Sequence, residues 1–578
     1  MKHSFTLSLL GIACIAASAS VTKVVDIPAD ADMAQRVAIA ANLVPNEQQL
    51  LWQQRPLTAF LHFGINTFTD REWGDGSENP DLFNPTDLDT DQWVKTLHDA
   101  GFDMVILTAK HHDGFCLWPT KTTNHSVASS SWRNGKGDVV ADLRRSCDKY
   151  GMKMGIYLSP WDRNASCYGD SPRYNDMFVA QLTELLTNYG TIDEVWFDGA
   201  CAEGPNGKRQ EYDWLRFREV MRTLQPQAVL AITGDDVRWV GNEGGVGRET
   251  EWSVTPLTPS IFPEADSVKQ ALGINEMSHD LGSRDLLAKA SRLYWWPSEV
   301  DVSIRPGWFY HPTEQPKSLQ QLADIYLQSV GRNSVLLLNV PPDRRGLIAQ
   351  ADSIRLMELK NWIDAGFTHD LTATRRPVIN AVSLSEDITK GQRVELFEVL
   401  GYTDGVARTL AQGTTIGHRR ILTFEPTAVD SVSVKVINTR ATPHITINGI
   451  YSLPQITDEV TSLIDTISPI AIAHTDMIET GGSAAIYYRL DQKRPVGGFI
   501  YTPGPESGKI YKYTVVVHAA DGWHALPQGE FGNIQAMPDP RVVILPESEL
   551  TDEVVILINQ TLDGPVTLQN TSIQFFEK

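Results

Sequence analysis

Cysteine is scarce in this chain, and the scarcity removes several possibilities together. Only five occur in 578 residues. Cys14 sits in an N-terminal apolar run, while Cys116, Cys147, Cys167 and Cys201 form no Cys-x-x-Cys pair and match no zinc module. A chain this long needs no disulfide staples, so the four are expected as buried thiols or at most one disulfide. Positive charge is the second deficit. Lys and Arg number 50 against 71 Asp and Glu, a formal net charge of −21, which argues against nucleic acid or an anionic membrane surface as partner. Beyond the N-terminus no apolar run is long enough to span a bilayer. No Gly-x-Ser-x-Gly follows a strand-like segment, against a nucleophile-elbow hydrolase. No Gly-x-Gly-x-x-Gly opens a helix, against a dinucleotide.

What is present begins with a leader. Lys2 and His3 precede an apolar run, Phe5 to Ala16, and the small residues Ala17-Ser18-Ala19. That is the pattern of a secretory signal over residues 1–19. Gly11-Ile12-Ala13 before Cys14 is a poor lipoprotein signal, so an exported protein, periplasmic or extracellular after cleavage, is expected. Residues 20–55 read as a strand or helix on the outside. From about 56 to 366 short apolar strands alternate with amphipathic helices, which predicts a parallel sheet covered by helices. The strands are Thr58–Ile65, Met104–Thr108, Lys153–Leu158, Ile192–Phe197, Ala228–Thr233 and Ser334–Val340, with two weaker ones within 245–305. The helices are Thr90–Ala100, Val139–Tyr150, Asn175–Tyr189, Tyr212–Leu224 and Ser318–Val330. Polar and aromatic clusters follow nearly every strand end, which favours an α/β (β/α)₈ TIM-like barrel over an open doubly wound sheet. After about 370 the helical period vanishes. Val, Ile and Thr-rich strands broken by Asp404-Gly405 and Asp521-Gly522 predict all-β C-terminal β-sandwich modules. The division is 1–19 signal peptide, 20–368 barrel, 369–455 first sandwich and 456–578 second sandwich.

The chemistry collects at strand ends. Asp198 closes the apolar segment Ile192–Phe197 and is followed by Gly199, so it points into the barrel's active face, with Trp196 on the same side of the strand. Other strand ends bring His62, then Glu72-Trp73; Lys110-His111-His112-Asp113; Tyr157 to Asn164; and Arg238-Trp239 through Glu243 to Glu251-Trp252. Adjacent histidines on one loop rarely ligate one ion and no third His or Cys ligand lies close, so no metal and no other cofactor is expected. Two carboxylates among histidines and indoles suggest glycosidic-bond cleavage. Imidazoles and amides hold sugar hydroxyls, and indole faces cover apolar patches. The residues alone do not choose Glu243 over Glu249 or Glu251. Trp118, Trp239, Trp295 and Trp296 are left to the core.

Trp196-Phe-Asp198-Gly, Lys110-His-His-Asp-Gly-Phe115 and Asn339-Val-Pro-Pro342 resemble the α-L-fucosidases of glycoside hydrolase family 29. Leu158-Ser-Pro-Trp-Asp-Arg-Asn164, Gly241-Asn-Glu243-Gly and Arg305-Pro-Gly-Trp-Phe-Tyr-His311 are similar to its branch acting on α-1,3/1,4-linked fucose. The resemblance covers most of residues 50–370. It implies a retaining exo-enzyme acting on fucosylated oligosaccharides, with Asp198 as nucleophile and Glu243 as acid/base. It further implies that His62, Glu72, Trp73, His111, His112 and Tyr157 hold fucose hydroxyls and that Trp308 covers the ring's apolar face. Trp161, Trp196, Arg238 and Trp252 complete the expected substrate-binding set. The C-terminal units resemble the sandwiches that follow the barrel in that branch, the second being discoidin-like, with departures that favour packing or spacing over sugar binding. A fucose-binding protein without turnover, or another retaining glycosidase on the same barrel, stay open as alternatives. Oligomeric state is not legible.

Overall fold

The computed structural model describes residues 23–456, 468–480, 483–504, 508–526, 528–531, 534, 540–562, 564–569 and 571–577. The expected leader and residues 457–467, just after the expected division between 455 and 456, lie outside these residues. Eight strands form the centre: β1 (Leu57–Leu61), β2 (Met104–Lys110), β3 (Lys153–Leu158), β4 (Glu194–Phe197), β5 (Val229–Ile232), β6 (Arg238–Trp239), β7 (Ser298–Ser303) and β8 (Val335–Asn339). They pair in the order β5-β4-β3-β2-β1-β8-β7-β6, parallel at every step. A parallel bridge between Ala231 and Val237 brings the two ends together, so the barrel is nearly closed.

Alternation along the strands makes two cores. Ala59, Leu61, Val105, Leu107, Ile156 and Val195 face outward to the helices. Phe60, Met104, Ile106, Tyr157, Trp196 and Leu337 fill the interior, as a small barrel requires. The covering helices start where side chains accept orphan backbone N–H groups: Asp89, Asp138, Asp213 and Ser318 each cap the third residue of their helix. All six strong strand expectations and all five helices are found, with ends displaced by a few residues. The weaker pair was misplaced in part. β7 falls within 245–305, but β6 lies ahead of it, because two residues carry no period to read. Residues 23–55 supply an outer strand, Val24–Asp26, and helices Met33–Asn42 and Glu47–Gln53.

The barrel floor holds an acidic pair. Glu194 on β4 accepts the Trp52 indole N–H at 2.8 Å, and Glu299 on β7 accepts that of Trp196 at 2.9 Å. Both carboxyls are fully buried. Burial pushes both above the usual carboxylate range, and for Glu299 the neighbouring Glu194 adds to it. The pair therefore keeps protons that an unfolded chain releases above about pH 4.3. Its contribution to stability is fully present below that pH and is lost as the pH rises through the raised folded values. Between about pH 5 and pH 8 the melting temperature should fall, and the fall should be shallower in Glu194→Gln, which preserves the bond from Trp52. Identical slopes for the two proteins, followed by thermal denaturation, would refute the reading that this pair retains its protons.

Beyond the barrel all sheets are antiparallel. Two three-stranded sheets, one centred on Val378–Glu386 and one on Val394–Thr403, pack around Val382, Leu384, Phe397 and Val399. The expected turn joins Val394–Thr403 to Val406–Gly413, with Asp404 and Gly405 at φ 51° and 78°, the left-handed pair a tight hairpin needs. A seven-stranded sheet follows, built on the long strands Ser483–Pro503 and Arg541–Thr561. Its own core includes Phe499, Tyr513, Val515, Ile556 and Phe575.

Candidate active site

A cleft of about 2450 Å³ opens at the carboxyl ends of the barrel strands. Asp198 follows β4 and is held from three sides. The Tyr157 hydroxyl donates to Oδ2 at 2.8 Å, and the Ala200 N–H donates to Oδ1 at 2.8 Å. His112 Nε2 stands 3.8 Å from Oδ2. Tyr157 reaches it because β3 lies beside β4 with Tyr157 opposite Trp196, both rings pointing inward and stacked at 5.3 Å.

Three histidines surround this carboxylate. His62 Nδ1 lies 2.9 Å from Asn339 Oδ1, which also accepts the His62 backbone N–H. Asn339 directs its amide N–H groups to the Trp308 carbonyl at 2.7 Å and to Ser303 Oγ. Its oxygen is thereby fixed toward His62, so Nδ1 donates and Nε2 is left as an acceptor. His112 Nδ1 pairs with Ser159 Oγ at 2.8 Å, and the His111 ring lies tilted against His112, with centres 4.1 Å apart. Burial lowers all three: His62 and His112 to about 4, and His111 well below the usual imidazole value. The rings are neutral in the physiological range and act as hydrogen-bonding groups rather than charges.

Glu72 is committed to a loop. Its carboxylate accepts the backbone N–H groups of Trp308 at 2.8 Å and Phe309 at 3.1 Å, and pairs with His311 Nε2 at 2.7 Å. Burial disfavours the charged His311 ring, but bonds to Asp70 and Glu72 outweigh it and raise His311 well above the usual value. This network sets Trp308 against His62, with ring centres 4.9 Å apart. Opposite, Trp73 (44% exposed) meets Trp161 and His112 edge-on at 5.7 and 5.6 Å.

Glu243 enters from the Gly241–Gly247 loop after β6 and lines the same cleft. The Trp308 indole N–H points to its Oε2 at 3.4 Å. Its neighbours in sequence are engaged elsewhere. Glu249 pairs with Arg332 and Arg420, Glu251 with Arg238 and Arg248, and neither lines the cleft. Below Glu243 lies Asp301, which burial and then the Glu243 carboxylate push well above the usual range. Asp301 accepts the Trp239 indole N–H at 2.8 Å.

Of the thirteen residues expected from sequence, twelve line the cleft. Trp252 is the exception. It is buried away from the cleft, with the Arg440 guanidinium of the first sandwich 3.4 Å over its ring, so its indole serves an interface. Arg238 reaches the cleft wall, but its guanidinium is spent on Glu251 and the Trp252 carbonyl, which makes it a support for the Glu243 segment. Lys110 is likewise a strut, buried between Asp162 and Gln181. Trp239 and Trp296, read as core, line the cleft. Sequence reasoning gave no role to Asn339, Asp301 or His311, though Asn339 and His311 stand in quoted motifs. Among the described residues no group of three or more His, Cys, Asp or Glu is placed to hold a metal ion.

The profile of one family, described as Alpha-L-fucosidase, matches residues 52–366. Alpha-L-fucosidase 1 of Arabidopsis thaliana is 39% identical over 469 residues, 71% of this chain and 87% of its own length. A crystal structure of a putative alpha-L-fucosidase from Bacteroides ovatus is similar across 96% of this chain and 99% of its own, at 48% identity and a TM-score of 0.75. A Ruminococcus gnavus GH29 fucosidase, solved in complex with fucose, matches 71% of this chain and 95% of its own at 29% identity and a TM-score of 0.63.

Proposed function

This chain belongs to the α-L-fucosidase family, glycoside hydrolase family 29, and we propose that it removes α-1,3/1,4-linked L-fucose from branched glycans by a two-step retaining reaction. One observation carries the assignment of groups. Of the three carboxylates in residues 243–251, Glu243 alone shares the cleft with Asp198, while the others are tied to arginines.

In the first step the Asp198 carboxylate attacks the anomeric carbon of fucose and the glycosidic bond breaks. The leaving oxygen takes the proton from the Glu243 carboxyl, leaving a fucosyl ester on Asp198. In the second, the Glu243 carboxylate takes a proton from water as the water oxygen attacks the same carbon. The ester bond to Asp198 breaks, releasing fucose with its configuration retained. Tyr157 and the Ala200 N–H aim the nucleophile before either step, so its geometry is prepaid in the fold. His62 Nε2, His111, His112 and Tyr157 receive the sugar hydroxyls. Trp308, fixed by Glu72 and Asn339, lies along the ring's apolar face. The leader at residues 1–19 supports action outside the cytoplasm, which the mass of the mature chain recovered from the exported fraction checks.

The linkage is tested by comparing a Lewis-type trisaccharide, 2′-fucosyllactose and an aryl fucoside as kcat/KM in one buffer. The trisaccharide should lead by about tenfold or more, because contacts to the neighbouring sugar are expressed in the transition state. Equal or better cleavage of 2′-fucosyllactose would refute the linkage and leave fucosidase activity standing.

A further inference from the structure

The cleft does not end with the barrel. Its lining continues onto the C-terminal seven-stranded sheet through Tyr511, Lys512 and Tyr513 of the strand Ile510–Ala519, Glu530 of Gly529–Glu530, and Arg541 of Arg541–Thr561. These elements are adjacent in the sheet: Lys512 stands opposite Glu530, and Ile510–Ala519 pairs with Arg541–Thr561. The sheet also touches the catalytic loops directly. Glu530 Oε1 accepts the backbone N–H of Glu72 at 3.2 Å, bridging 458 positions of sequence. The residue it holds is the one whose carboxylate carries Trp308, and the next residue is the exposed Trp73. Tyr511 is half-buried, with its hydroxyl within the electrostatic reach of Arg163 and Glu72.

We propose that the C-terminal sheet is the outer wall of the catalytic cleft, where Tyr511 and Lys512 receive the sugar to which fucose is joined and Glu530 is a positioning residue for the Glu72–Trp73 loop. Fucose is a terminal sugar, and its pocket is closed below by the barrel interior. The remaining sugars must leave through the mouth, whose rim here includes Trp73 and, beside its loop, Tyr511, Lys512 and Glu530. An aromatic ring, an ammonium and a carboxylate on adjacent strands suit a neutral, hydroxyl-rich oligosaccharide. A chain lacking this sheet would keep the fucose pocket and lose the wall. This rests on the fucosidase reading and not on the linkage.

The test uses the full-length enzyme and Tyr511→Ala, Glu530→Ala and Glu530→Gln, with kcat and KM measured for an aryl fucoside and for whichever fucosylated oligosaccharide the unaltered enzyme cleaves best. Tyr511→Ala and Glu530→Ala should raise KM for the oligosaccharide about tenfold and for the aryl fucoside only about twofold, the size of one or two lost contacts. Glu530→Gln retains an acceptor for the Glu72 N–H and should recover most of the loss. Equal effects on both substrates with unchanged melting temperature would overturn the proposal, as would no effect on either. If a variant unfolds, Lys512→Ala, at a residue that lines the same cleft, gives the same two-substrate comparison. An unaltered enzyme inactive on every fucoside would refute the fucosidase reading itself, an outcome distinct from any ratio between the two substrates.

Discussion

Asp198→Ala should reduce kcat on every fucoside by about 10⁵ to 10⁶, the scale of removing a covalent nucleophile. The loss should not depend on the leaving group, because no ester forms whatever the aglycone. In the fold this side chain accepts bonds from the Tyr157 hydroxyl and the Ala200 N–H. It is a quarter exposed, and its partners Tyr157 and His112 keep their own contacts with Trp196 and Ser159. The melting temperature should therefore stay within a few degrees. Initial rates on an aryl fucoside, together with calorimetry, check both halves. Full loss of activity with an intact fold supports the nucleophile, whereas residual turnover above about one part in 10³ would refute it.

Glu243→Ala should divide substrates by leaving group. For a fucosylated oligosaccharide the departing alkoxide is a poor leaving group, so losing the proton donor should lower kcat/KM by about 10² to 10⁴. For an aryl fucoside with a strongly acidic phenol, departure needs little help and the loss should be about tenfold. Steady-state rates on both substrates measure the ratio. Glu249→Ala and Glu251→Ala should not reproduce it. Glu251 is buried on Arg238 and Arg248, and removing it leaves guanidinium charge unpaired in the interior, which costs about 3–5 kcal/mol of stability. A leaving-group split in Glu251→Ala would transfer the acid/base role away from Glu243.

How much of this was legible depended on the range of the signal. β4 ending on Asp198-Gly199 is written in six consecutive residues, and the barrel's alternation in windows of a few more. Both were readable from sequence. The choice among Glu243, Glu249 and Glu251 was not, because it turns on partners far along the chain: Arg420 meets Glu249 from 171 positions away. Trp252 failed for the same reason. An indole looks alike whether it faces a sugar or an arginine, and Arg440 lies 188 positions on, just past the strand Ser431–Thr439. Asn339 was visible as part of a motif, but its function of fixing His62 and the Trp308 carbonyl together needs β8 to stand beside β1. The C-terminal sheet was read as packing or spacing. Its contact through Glu530 joins a two-residue strand to a loop more than four hundred residues earlier, and no local pattern encodes that.

The most direct test of the central claim is peptide mapping by mass spectrometry after reaction with a 2-deoxy-2-fluoro-fucosyl fluoride. The fluorine slows hydrolysis of the ester more than its formation, so the intermediate accumulates. One fucosyl adduct should form, on the peptide containing Asp198, and disappear as activity returns. An adduct on Glu243 or any other carboxylate, or substrate consumption with no adduct at all, would contradict that claim.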